Sequence, residues 1–345
     1  MILSIDTYGA YLHVRDDMFE VRLKREDELI RRKIAPGKLS SIHLSKGVSL
    51  SVDAIELATM HNIDILFMQF EGTPYGRVWS SKLGSTTKIR KSQLIASVTK
   101  SGTEFVKEWI VAKISNQKDF LKKLKKHREE KAALFVSAIN KIERKADAVK
   151  NLSGANIFEI ADELRGYEGS AGKEYFRVLG QILSAEYRFD SRSFRPAKDP
   201  FNSFLNYAYG VFYSKIERAL LIAGVDPYIG FLHRDDYNQK SMVFDFIEPY
   251  RIWADETVFK LFSAKKVNKS HTEKISGGFS LNKNGKILLM ESINKFMEEE
   301  KVKYKGRNQS RNNIIQLDAH SFAARLIKKK LKPEDIEYYD LLGDV

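Results

Sequence analysis

His233, Asp245, Glu248 and Arg251 all fall within the stretch from Gly224 to Arg251, an imidazole, a pair of carboxylates three apart and a guanidinium. The segment reads Gly230-Phe231-Leu232-His233, passes through a polar loop, and resumes as Asp245-Phe246-Ile247-Glu248-Pro249-Tyr250-Arg251. Pro227 and Gly230 punctuate a turn, Phe231 and Leu232 are apolar anchors, and His233 follows where that anchored stretch ends. Asp245 and Glu248, three residues apart, would share one helical face, with Arg251 a step further along the same stripe. Pro249 lacks a backbone N–H and fits a first helical turn. The carboxylates are therefore expected near a helix start, where negative charge is favoured and a cation can be bound. An imidazole with two carboxylates suits a divalent cation but needs a further ligand. The alternative is a hydrogen-bonded structural histidine beside a solvated Asp-x-x-Glu face.

A further carboxylate lies upstream, in Gly166-Tyr167-Glu168-Gly169-Ser170-Ala171-Gly172. The surrounding pattern is helical, and glycine in a helix interior costs about 0.5–1 kcal/mol relative to alanine. Close helix packing would explain such a cluster, and so would room cleared beside Glu168 for a substrate and a metal.

The elements that must carry these groups follow from the 345-residue chain, whose 43% hydrophobic content is ample for a core. The expected fold class is α+β: a small N-terminal β-strand domain over 1–83, then a larger all-α catalytic domain over 84–345. Up to Ser81, short bursts of period-two alternation broken by Gly9, Asp16-Asp17 and Pro36-Gly37 predict short antiparallel strands. Val52 to Asn62 reads as a helix, Ile63 to Met68 as a buried strand, and Arg77-Val78-Trp79 as an edge. Nothing in this part resembles a catalytic group. Beyond Gly84 the apolar spacing becomes helical, over Thr103–His127, Glu129–Val149, Ile157–Tyr187, Asn202–Ala223, Phe244–Phe262, Ile287–Tyr304 and Gln309–Leu331. Ala264 to Gly285 reads as a mobile basic loop.

Lys and Arg outnumber Asp and Glu by 58 to 45, a net charge of +13 that favours a polyanionic partner such as nucleic acid. The lysine-dense runs Lys118–Lys131 and Arg325–Lys332 are either solvated faces or phosphate contacts. Cysteine is absent, which excludes disulfides, thiolate ligands and a cysteine nucleophile. Any metal must be held by oxygen and imidazole. No basic leader and no apolar run of membrane length is present, so the expected location is cytoplasmic.

Three ordered motifs carry a family resemblance. Glu168-Gly169-Ser170-Ala171-Gly172-Lys173-Glu174-Tyr175-Phe176 resembles the Glu-Gly motif of the universal CRISPR-associated integrases of spacer acquisition, the family of the first-numbered Cas protein. Arg195-Pro196-Ala197-Lys198-Asp199-Pro200-Phe201-Asn202, running into Leu205-Asn206-Tyr207, is similar to that family's central segment. Gly230-Phe231-Leu232-His233 and Asp245-x-x-Glu248-Pro249-x-Arg251 match its remaining motifs. Gly172 stands where many members carry alanine, and the tail beyond about Pro333 matches nothing.

The resemblance implies a divalent metal, Mg2+ or Mn2+, held by Glu168, His233 and Glu248. Asp245 would support a ligand or bind a second ion, and Arg251 would contact phosphate or steady the carboxylates. The implied activity is that of a DNA endonuclease and integrase, inserting short fragments into a CRISPR array by transesterification at a phosphodiester. The implied partners are double-stranded DNA (fragment and repeat), a second copy of the chain in a homodimer, and a small ferredoxin-like protein, the second-numbered Cas protein. Two other readings fit the residues: a metal-dependent hydrolase of small phosphate compounds, and a non-catalytic DNA-binding scaffold.

Overall fold

A computed structural model describes residues 2–25, 28–39, 41–69, 74–78, 86–233 and 239–328. Trp79, the far end of the Arg325–Lys332 run and the tail beyond Pro333 lie outside the described residues. The chain divides into two compact units, Met1–Gly84 and Ser85–Val345.

The first unit holds β1 (Ile2–Ile5), β2 (Tyr11–Arg15), β3 (Met18–Arg25), β4 (Glu28–Ile34), β5 (Ser41–Ser45), β6 (Ser49–Leu50), α1 (Val52–Met60), β7 (Asp64–Met68) and β8 (Pro74–Val78). They form two four-stranded sheets, β1-β5-β7-β8 and β4-β3-β2-β6. The expectation of antiparallel strands holds for the β2-β3-β4 meander and for β7 with β8, but not for the remaining pairs. β1 pairs β5, β5 pairs β7 and β2 pairs β6 in parallel. Period-two alternation reports which face is buried and is blind to strand direction; direction depends on what fills the connection. The β5 to β7 return is made by α1, whose Ser51 side chain caps Ala54 N at 3.2 Å. Leu12, Phe19, Ile42, Ala54 and Ile65 close the core of this unit.

The second unit is mostly helical: α2 (Thr86–Val98), α3 (Lys100–Lys125), α4 (Ala132–Asn151), α5 (Ala161–Ile182), α6 (Pro200–Ile222), α7 (Ser241–Phe246), α8 (Arg251–Ser263), then β9 (Thr272–Ile275), β10 (Gly278–Leu281), α9 (Lys283–Asn294), β11 (Val302–Tyr304), β12 (Arg307–Gln309) and α10 (Arg311–Lys328). The stretch expected as a mobile loop is instead the β9-β10 hairpin, turned through Gly277 at φ +77° and closed by Asn282 capping α9. Three aromatic rings, Phe105, Trp109 and Phe322, surround Phe231. Trp109 stacks on Phe231 at 6.0 Å and meets Phe246 edge-on at 5.5 Å. One core cluster thus pins both halves of the chemistry-bearing stretch against α3, the rings contributing through burial and edge geometry.

Candidate active site

The central motif turns out to be a fastening. Asp199 caps α6 by accepting Asn202 N at 2.8 Å. Fully buried Asn202 accepts from Arg192 and Ser193 N and donates to Ser191 O and Asp199. Asn206 accepts from Arg192 and donates to Phe194 O at 2.6 Å. These amides replace backbone partners for the irregular chain ahead of α6. Arg192 also lies over the Tyr209 ring at 5.3 Å.

Glu168 sits mid-way along α5, which runs unbroken through the glycine cluster. A Cβ built on Gly166, Gly169 or Gly172 meets nothing within 4 Å, whereas one on Gly180 would strike Phe189 O at 2.0 Å. Helix packing therefore accounts for Gly180 and not for the cluster around Glu168, whose glycines border open space. One turn before Glu168, Arg165 donates to Leu232 O at 2.8 Å, tying α5 to the residue preceding His233.

His233 is held by Asp245. The imidazole Nδ1 lies 2.6 Å from Asp245 Oδ1, and the same carboxylate accepts the backbone N–H groups of Phe231, Leu232 and His233 at 2.6, 3.0 and 3.2 Å. Gly230 is required where this turn begins, since a Cβ there would lie 2.4 Å from Ser241 Cβ. With Nδ1 committed, Nε2 is the ring nitrogen able to take a ligand, the arrangement in which a carboxylate orients a metal-binding histidine. Of the two roles expected for Asp245, the geometry matches that of a support.

Asp245 and Glu248 do not share a face. The helix expected over Phe244–Phe262 breaks: Asp245 lies in the last turn of α7, and Glu248-Pro249-Tyr250 is a 3-10 turn leading into α8. Proline at position 249 cannot continue the bonding of α7, which gives the two carboxylates different directions. Glu248, 5% exposed, accepts from Arg251 Nε at 3.0 Å and pairs with Lys113 Nζ at 2.6 Å. Burial pushes its carboxyl up, but Arg251 and Lys113 outweigh this and hold it at about 2. Arg251 donates to Tyr213 OH at 3.1 Å and lies over the Tyr209 and Tyr213 rings, so it steadies Glu248 from a fixed position.

Lys113 of α3 is the residue that reading the sequence missed. Its ammonium also pairs with Glu168 Oε1, so one cation bridges carboxylates from α5 and from the turn before α8. Asn116, one turn on, donates to Pro249 O at 2.8 Å and sets α3 against that turn. A signal was present. Val106, Ile110, Phe120 and Leu121 form a buried stripe on α3, and Lys113 and Gln117 interrupt it at helical spacing. A lysine on an apolar stripe demands buried anions.

The donors fit a divalent cation: two carboxylates already converge on one positive charge, and an imidazole is oriented by a third carboxylate. Among the described residues no three histidine or carboxylate side chains close on one point. Lys113 Nζ stands between Glu168 and Glu248 instead.

Beneath this layer, Asp255 accepts from Tyr209 OH at 2.6 Å, and burial raises its carboxyl to about 6. The proton bound more tightly in the folded state stabilises the fold below 3.8, and that contribution is lost as pH rises through about 6. Asp255→Asn cannot ionise. Relative to the parent chain it is expected to gain roughly 2–3 kcal/mol between about pH 4 and pH 7. Urea midpoints at both ends of that window measure the change.

A cavity of about 420 Å³ opens between α4 and α5, lined by Lys141, Arg144, Lys145, Lys173 and Arg177, with Glu174 among them. Glu174 pairs with Lys141 and Arg177 there; elsewhere, Lys118 of the expected basic run is paired with Glu143, and Arg325 with Glu108. No helix among the described residues is long and apolar enough to cross a membrane.

The family description CRISPR associated protein Cas1 matches residues 3–295. A CRISPR-associated endonuclease Cas1 of Archaeoglobus fulgidus is 32% identical over 337 residues, covering 94% of this chain and 96% of the relative. In fold, a Cas1 protein from Thermotoga maritima superposes with a TM-score of 0.71 at 22% identity, over 96% of this chain and 98% of that one. A casposase bound to integration product gives 0.70 at 19% identity, over 99% and 98%. The Cas6-RT-Cas1–Cas2 complex also gives 0.70 at 19% identity, over 96% of this chain and 36% of the other. With most of its length matched by the family description and by a relative of this identity, the chain belongs to the Cas1 family of CRISPR-associated proteins.

Proposed function

We propose that this chain is a divalent-metal-dependent DNA endonuclease and integrase of CRISPR adaptation, with Glu168, His233 and Glu248 as the metal ligands. The observation that carries this reading is the convergence of Glu168 and Glu248 on one cation while Asp245 holds His233 by Nδ1. A Mg2+ or Mn2+ ion held there would polarise the scissile phosphodiester and relieve charge on the leaving oxygen. The chain's own part is to orient. Asp245 fixes the imidazole tautomer and direction, Arg251 keeps Glu248 ionised and aimed, and the open side of α5 leaves room for a strand beside Glu168. With a DNA 3′-hydroxyl as attacking group the outcome is strand joining; with water it is cleavage. The endonuclease name of the Archaeoglobus relative supports the same chemistry.

The basic cavity between α4 and α5 starts two residues beyond Glu168 and suits a DNA backbone approaching the site. Combined Lys141, Arg144 and Lys173→Ala substitution is expected to weaken DNA binding. It should also flatten the dependence of log K on log salt by about 0.9 for each phosphate that is no longer neutralised. An unchanged slope would place the DNA elsewhere. Double-stranded DNA, a second copy of this chain and a small ferredoxin-like second Cas protein are the proposed partners; the solved complex of Cas1 with Cas2 supports the last.

The direct test is a branched DNA imitating a half-integrated fragment, incubated with Mn2+ or Mg2+ and resolved on a denaturing gel. Rejoined strands that disappear with chelator support the reading; rejoining that persists in chelator refutes the metal requirement. Asp245→Asn should lower Mn2+ affinity by about 10–100-fold, as loss of a carboxylate behind a ligating histidine does. Mn2+ titration followed by electron paramagnetic resonance reads that change.

A further inference from the structure

Lys113 and Arg251 both pair with Glu248, yet they are held very differently. Arg251 is fixed on several sides, by Glu248 Oε1, by Tyr213 OH and by two aromatic rings. Lys113 reaches the site only through the end of a flexible four-carbon stem, and its two ion pairs, to Glu168 Oε1 and Glu248 Oε2, both end on the ammonium. The helix that carries it is anchored separately through Asn116 to Pro249 O. The ammonium can therefore leave the carboxylates by rotation of its own side chain, with α3 staying in place.

The charges make such a departure necessary for metal binding. Glu168 and Glu248 supply two negative charges, matched by Lys113 and Arg251. A divalent cation and an ammonium cannot occupy the same pair of carboxylate oxygens, because each would lose its partners and repel the other. Burial alone would favour a neutral Lys113 amine, but Glu248 and Glu168 outweigh it and keep the group charged.

We propose that Lys113 is a place-holding cation: it satisfies Glu168 and Glu248 in the metal-free protein, competes with the divalent ion for them, and on release offers its ammonium to a DNA phosphate. The proposal rests on the metal-site reading given above. It makes metal and DNA binding mutually reinforcing, since a phosphate that accepts the displaced ammonium favours the state in which the carboxylates are open to metal. The coupling resides in one side chain and requires no rearrangement of the fold.

The experiment measures Mn2+ affinity by electron paramagnetic resonance on the full chain, with and without a short DNA duplex, for the parent protein, Lys113→Met and Glu168→Gln. Lys113→Met is expected to bind Mn2+ about tenfold or more tightly without DNA. It should also lose most of the tightening that DNA brings to the parent protein. A purely structural lysine predicts the opposite, since its loss would loosen the site. Should Lys113→Met fail to fold, Lys113→Gln removes the charge while keeping a polar end, and carries the same expectation. Equal or weaker Mn2+ binding in the neutral variants, with affinity still dependent on Glu168, overturns the role of Lys113 and leaves the metal site standing. Mn2+ binding that is the same in Glu168→Gln as in the parent protein overturns the metal site and this inference together.

Discussion

Glu168→Gln is expected to lower metal-dependent strand joining by about a thousandfold or more while leaving the fold and DNA binding intact. The asymmetry follows from where Glu168 stands. Its side chain is 28% exposed, it lies mid-way along a continuous helix, and its charged partner, Lys113, keeps a second carboxylate in Glu248. Glutamine is a good helix former and strands no charge, so the urea midpoint should move by no more than about 0.5 kcal/mol in stability. The branched-DNA assay reads the activity and a salt-resolved binding isotherm reads the affinity. A fully active variant would show that Glu168 is not in the reacting centre. An inactive variant that also fails to bind DNA would move Glu168 from chemistry to docking.

Glu248→Ala should behave in the opposite way and damage the fold before its chemistry can be read. The carboxylate is buried and shared by two cations, and removing one member of a buried charged network typically costs about 3–5 kcal/mol. The pH dependence identifies the cause. Glu248 is held at about 2, against an ordinary 4.5. Its contribution is thus fully present above 4.5 and is lost as pH falls through about 2. The stability gap between parent and variant is expected to be widest at neutral pH and to narrow as acid is added. Urea midpoints at about pH 7 and about pH 3 measure it. A gap that does not change over this range would assign the loss to packing. Inactivity of Glu248→Ala by itself therefore says little about catalysis, whereas inactivity of Glu168→Gln says a great deal.

The contrast bears on how the three proposed ligands are built. Glu168 is carried by a helix that stands without it. Glu248 is part of the joint among α3, α6 and α8, through Lys113, Tyr213 and Arg251. His233 sits between these extremes, its ring exposed at one end and its backbone sewn to Asp245. Substitutions at the three positions are accordingly expected to separate activity from stability to different degrees.

The sequence by itself determined which residue types could do chemistry and in what local order: Glu168 among glycines, His233 behind two apolar anchors, and the acidic run from Asp245 to Arg251. It also determined the change from strand to helix near Gly84, because periods of two and of three to four residues are written in the order of apolar side chains. Tertiary structure decided the rest. Parallel pairing of β1, β5 and β7 depends on how the chain returns between them, which no local period records. The parting of Asp245 from Glu248 depends on the helix breaking at Pro249, after which one carboxylate turns to the His233 backbone and the other to Arg251. The fastening role of Asn202 and Asn206 emerges only when Arg192 is brought beside them. Above all, Lys113 lies 55 residues before Glu168 in the chain, and only the packing of α3 places its ammonium between two carboxylates. A buried charge is meaningful through its partners, and partners so distant in sequence are chosen by the fold.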